Sequence, residues 1–152
     1  MELTRRQLLA GLAAVALAGC GSTSSGGDAT ETVDEAPAQT FDYEQCTIEY
    51  RGTQDAAGNA VVTFAFTNKL DATVMVAPEN VVVNGEYAVQ ALGGSQVPIA
   101  SGQTGAVSLS FGVSVQTPLA GTDDLETLKA DLIIMDDATL ERLYAAPVDV
   151  TI

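Results

Sequence analysis

Apolar and polar residues alternate along most of the chain. Cys46, Ile48 and Tyr50 alternate with Gln45, Thr47, Glu49 and Arg51, and Val62, Phe64 and Phe66 with Thr63, Ala65 and Thr67. Val107, Leu109, Phe111, Val113 and Val115 repeat the pattern against Ser108, Ser110, Gly112 and Ser114. Leu128, Ala130, Leu132 and Ile134 do so against Lys129 and Asp131, and Val148, Val150 and Ile152 against Asp149 and Thr151. Residues two apart share one side of a strand, so this period predicts half-buried strands with one face inward and one face wet. Turn formers separate the runs: Asp55-Ala56-Ala57-Gly58-Asn59, Asn68-Lys69-Leu70-Asp71, Gly93-Gly94-Ser95 and Ala100-Ser101-Gly102. Asn84-Gly85, between Val81–Val83 and Tyr87–Leu92, predicts a hairpin because both residues tolerate positive φ. Only residues 122–128 read as helical, with Thr122 or Asp123 as N-cap and Glu126 placed for a capping box. The whole predicts an all-β fold, a two-sheet antiparallel sandwich of about seven or eight strands over residues 41–152.

The first forty residues follow a different pattern. Arg5 and Arg6 precede an unbroken apolar run from Leu8 to Ala18. A transmembrane helix needs about 20 apolar residues, so this run is too short to remain as a span and reads as an export signal, residues 1–19. From Gly21 to Thr40 the chain turns to Gly, Ser, Thr, Asp and Glu, with too little apolar surface to offset the entropy of ordering. Residues 20–40 are expected to form a flexible tether. At about 5–6 Å times the square root of its length, such a spacer holds the domain about 25 Å from its attachment point.

Three segments carry family resemblances. Leu17-Ala18-Gly19-Cys20 resembles the lipobox of bacterial lipoproteins, in which small residues precede a cysteine that becomes the new N-terminus. That resemblance implies cleavage between Gly19 and Cys20 and a diacylglyceryl thioether on the Cys20 sulfur. Thr4-Arg5-Arg6-Gln7-Leu8-Leu9 resembles the twin-arginine export motif, although a general secretory signal also carries such arginines. The runs Phe64-Ala65-Phe66-Thr67-Asn68, Val83-Asn84-Gly85-Glu86-Tyr87 and Ile99-Ala100-Ser101-Gly102 look like the telokin-like, immunoglobulin-like domain of bacterial surface lipoproteins. Ala100 departs from that family's usual proline. The resemblance implies an immunoglobulin-like sandwich, an extracytoplasmic address and no catalytic residues.

Composition narrows the chemistry. Twenty acidic residues face six basic ones, for a net charge of −14, which repels nucleic acid. The chain has no histidine, which removes the common catalytic triads and most zinc sites. Cys46 is the one cysteine other than Cys20; its phase with Ile48 and Tyr50 places it on the inward face, as a small core residue. Asp123, Asp124, Glu126, Asp131, Asp136 and Asp137 are close in sequence but match no calcium-loop spacing. Lys69 and Lys129 have no serine at a spacing that would make a dyad.

The expectation is therefore a lipid-anchored protein on the extracytoplasmic face of a cell membrane, non-enzymatic and without catalytic residues, metal site or cofactor. It would meet a protein or small ligand at the envelope through an edge strand or loop end. The alternative is a solute-binding or accessory lipoprotein of a membrane transporter. Thermal unfolding in millimolar calcium and in EDTA is expected to differ by no more than carboxylate screening produces. A large upward shift with calcium would reveal a site.

Overall fold

A computed structural model describes residues 38–152. Among these residues, nine strands form two antiparallel sheets. Sheet one has the order β1-β2-β3-β7-β6, from β1 (Thr40–Asp42), β2 (Cys46–Ala56), β3 (Asn59–Asn68), β6 (Leu92–Ser95) and β7 (Thr104–Gly112). Sheet two has the order β5-β4-β8-β9, from β4 (Val74–Val83), β5 (Tyr87–Val89), β8 (Thr127–Asp136) and β9 (Arg142–Thr151). The order β2-β3-β7-β6 against β4-β8-β9 is the A-B-E-D against C-F-G connectivity of an immunoglobulin fold. β5 is added beside β4. The short strands β1, β5 and β6 bring the number above the seven or eight expected.

The alternating residues meet between the sheets. Ile48, Val62, Phe64, Phe66, Leu109, Leu128, Leu132 and Ile134 are all fully buried. Burying each such side chain contributes about 1.5–3 kcal/mol, so the period-two pattern is the main driving force of the fold. Two prolines lie within strands without breaking the ladders. The Val74 and Val76 N–H groups point away from β8, to Ile99 O at 3.0 Å and Ser95 Oγ at 2.9 Å. Pro78 continues that side of β4, where no ladder bond is lost.

Three local expectations are corrected. Gly93-Gly94-Ser95 is not a turn but most of β6. The alternation through Val113 and Val115 does not continue as strand: β7 ends at Gly112, a helical turn α1 (Val113–Gln116) follows, and Val115 is 87% exposed. Residues 122–128 form only a 3-10 turn at Thr122–Asp124, with no side-chain cap, before β8 begins at Thr127. The Asn84 side chain explains that shortening. Its Oδ1 accepts the Glu126 and Thr127 N–H groups at 2.8 and 3.2 Å, which a continuing helix would have used internally.

Both long sides of the sandwich are closed. On one side, the chain from β6 to Ile99 leaves sheet one and lies against the free half of β4. Val74 and Ile99 exchange backbone hydrogen bonds of 3.0 and 2.8 Å, and buried Ser95 takes the Val76 N–H. The approach is so close that a Cβ on Gly94 would fall 2.0 Å from Val76 O, and one on Gly93 2.2 Å from Ser108 O. Asn68, also fully buried, fixes the neighbouring loops: its Nδ2 donates to Ala72 O at 2.8 Å and Ile99 O at 2.9 Å, and its Oδ1 accepts the Leu70 N–H at 2.9 Å. On the other side, Gln39 and Tyr43 reach across from β1 to β9.

Gly94→Ala is expected to destabilise the domain by about 2–4 kcal/mol, since the clash is with backbone and φ is +128°. Gly58→Ala, with a positive φ but open space around it, should cost less. Chemical denaturation of the two variants against the parent checks the order.

Candidate functional site

An open groove of about 450 Å³ lies where the β1 segment meets sheet two. Phe41 and Tyr43 form one wall; Lys129 and Asp131 of β8, Pro147 and Asp149 of β9, and Asn80 complete it. Phe41 pairs with Ile48 in the ladder, so the inward phase of β2 carries it over the gap between the sheets. Tyr43 crosses that gap: its hydroxyl donates to Pro147 O, and its ring packs edge-on against Tyr144 with centroids 5.9 Å apart. Burial, with Tyr144 and Asp131 nearby, pushes the Tyr43 phenol above its ordinary pKa, so it stays a neutral donor.

The polar members of the groove are already partnered. Asn80 occupies left-handed backbone (φ 50°) at the bulge of β4, and this aims its Nδ2 at Asp131 Oδ2, 2.8 Å away. Lys129 Nζ lies 2.9 Å from Asp149 Oδ2. The groove therefore offers two aromatic rings and a proline beside a neutralised ion pair and a carboxylate–amide pair. This surface can hold a ligand by stacking and hydrogen bonds, and it contains no nucleophile–base pair.

The edges beside the groove are blocked against strand addition. Gln39 Nε2 donates to Thr151 O at 2.6 Å, while its Oε1 accepts the Thr151 N–H at 2.8 Å. On the same side of β9, Pro147 has no N–H to offer. Gln116 repeats the device on the link between β5 and β6, accepting the Gln90 N–H at 2.6 Å and donating to Gln90 O at 3.1 Å.

The other residues singled out by sequence serve the fold. Cys46 is fully buried, and burial raises its thiol to about 11, against which nearby Lys69 acts weakly. Asp136 is a turn former: its Oδ1 accepts the Ala138 and Thr139 N–H groups at 3.0 and 2.8 Å and the Thr139 hydroxyl at 3.0 Å, which lowers its pKa. Asp124 accepts the Ala120 N–H at 2.9 Å. Among the described residues, no three carboxylates or thiols are grouped to hold a metal ion. Lys69 is paired with Asp42 and donates to Tyr43 O at 2.8 Å. Arg5, Arg6, Leu17, Ala18, Gly19 and Cys20 lie outside the described residues. Sequence reasoning missed Phe41, Tyr43 and Asn80, whose partners stand far away in the chain.

No family model and no curated protein matches the chain. Among solved structures it is similar to a yeast GGA1 GAE domain, with a TM-score of 0.45 and 9% identity over 76% of this chain and 99% of that one. It is also similar to the GAE domain of GGA2p from Saccharomyces cerevisiae, with a TM-score of 0.41 and 11% identity over 76% and 96%.

Cys46 is expected to react slowly with a thiol reagent at pH 8 in the folded domain and rapidly once unfolded. Its folded pKa is raised above 9.0, so its contribution to stability is complete below pH 9 and is lost as pH rises toward 11. Fast labelling of the native protein, or stability that holds flat over that window with the thiol present, would contradict this placement.

Proposed function

We propose that the chain is a lipid-anchored, extracytoplasmic β-sandwich that acts as a non-enzymatic binding module at the cell envelope. The observation that carries this reading is Leu17-Ala18-Gly19-Cys20 at the end of an apolar run behind Arg5 and Arg6, followed by a polar spacer and then the sandwich. The thiol of Cys20 would be the nucleophile that takes lipid, and the small residues before it would admit a peptidase to the backbone. The groove beside Tyr43 supports binding over catalysis: it has aromatic walls and paired polar groups, and the nearby thiol, Cys46, is buried and held protonated. The capped edges favour contact through the groove and the sheet faces over strand addition.

Mass spectrometry of the N-terminal peptide from isolated membranes should find Cys20 as the first residue with lipid on its sulfur. One acyl chain binds a bilayer reversibly, whereas two or more hold firmly. Cys20→Ala should abolish both the lipid and the cleavage. An unmodified Cys20, or a mature terminus elsewhere, would turn the protein into an ordinary secreted one and end this proposal.

A further inference from the structure

We infer that the outer face of sheet one is a docking surface for a second copy of this chain. The face differs from the rest of a strongly anionic molecule. β3, β6 and β7 carry no charged residue over their whole lengths. β2 adds Glu49 and Arg51, which are paired with each other, and Asp55 near its end, while β1 adds Asp42, which is paired with Lys69. The outer side of sheet two, by contrast, presents Glu79, Lys129, Asp131 and Asp149.

The centre of the face is a ladder of small side chains in register: Thr63 beside Ser108, Ala65 beside Ala106, and Thr67 beside Thr104. Thr67 and Thr104 hydroxyls lie 2.8 Å apart, and those of Thr63 and Ser108 3.5 Å.

Charge and chemistry select a copy of the same chain as the occupant. Two molecules of net charge −14 repel through every acidic surface they present. They can approach through the β3, β7 and β6 part of this face, which holds no carboxylate. A hydroxyl both donates and accepts, so identical faces related by a two-fold axis can satisfy one another, which rows of carboxylates or ammonium groups cannot. Edge-to-edge association is disfavoured, because β1, β5 and β6 are three or four residues long and β9 is capped by Gln39 and Pro147.

The area sets the strength. Three strands of about nine residues and the four-residue β6, about 4.8 Å apart at about 3.4 Å per residue, give about 500 Å² per copy and about 1,000 Å² in all. This lies in the range of weak, transient complexes. The dimer should be weak in dilute solution and populated where copies share one bilayer; that last point rests on the anchor proposed above.

Ala106→Cys tests the contact in the full chain reconstituted into lipid vesicles. It places a thiol at the centre of the face, while Cys46 stays buried and unreactive. Mild oxidation should yield a covalent dimer at least several-fold above that from Ala138→Cys in the exposed turn between β8 and β9. Adding Ser108→Glu should bring the yield down to the Ala138→Cys level, with circular dichroism verifying that each variant is folded. Equal yields from the two cysteine positions, or a yield indifferent to Ser108→Glu, would overturn the inference. So would protection of the introduced thiol from maleimide by added glycan with no dimer formed, since the face would then serve a carbohydrate. Sedimentation of the unsubstituted full chain in detergent gives a second measurement that needs no cysteine variant and no bilayer. It should show a concentration-dependent dimer near millimolar protein that Thr67→Glu abolishes; a monomer at all concentrations, or a dimer untouched by that change, would also overturn the inference. A dimer in detergent together with an unmodified Cys20 would sink the envelope reading and leave this one standing.

Discussion

The architecture depends on how closely one strand backbone passes between two others. β6 belongs to sheet one by its ladder with β7, yet Gly94 lies against the carbonyl of Val76 in sheet two. No side chain can occupy that position without moving a backbone, so the absence of a Cβ lets the sheets converge. Convergence brings Ser95 under the Val76 N–H and Ile99 into bridge contact with Val74, and Ile99 O in turn receives Asn68 Nδ2. A chain of backbone requirements thus starts from a glycine and ends at a buried amide with three hydrogen bonds. The hydrophobic core supplies most of the favourable free energy, but it is non-directional. These contacts select one way of stacking the two sheets.

The strands were legible in the sequence because their signal is local. Cys46, Ile48 and Tyr50, or Val62, Phe64 and Phe66, declare a buried face within five residues, and the hairpin at Asn84-Gly85 declares itself in two. The misread segments are those where distant atoms decide. Gly93-Gly94 has the composition of a turn, and only the presence of Val76 and Ser108 on either side makes it a strand. Residues 122–128 have the caps of a helix, and Asn84 from another hairpin takes the amides that would have built it. The groove was illegible for the same reason. Tyr43 matters through Pro147 and Tyr144, about a hundred residues later, and no periodicity links them.

Charge and fold divide the work between the two sheets. Each Lys and Arg among the described residues has a carboxylate partner: Arg51 with Glu49, Lys69 with Asp42, Lys129 with Asp149 and Arg142 with Glu79. Exposed pairs of this kind add little to stability, but they leave no cation among the described residues free to balance the excess of acids. The molecule is therefore a polyanion in which the outer side of the β3–β7 ladder is built from hydroxyl and methyl groups. Repulsion between acidic groups over most of the surface spares the β3, β7 and β6 part of sheet one.

The Gln39 clamp also determines how the domain meets mechanical load. Among the described residues, the first hydrogen bonds in the chain are two from the Gln39 side-chain amide to Thr151 and one from the Tyr50 N–H to Gln39 O, followed by the three-residue ladder of β1 on β2. Tension applied from the N-terminal direction reaches these few bonds before it reaches the core. They lie at an edge, so they can yield one after another and lengthen the chain while the ladders of β3, β7, β4 and β8 remain closed. The entry strand thus works as a short extensible segment in series with a stiff body.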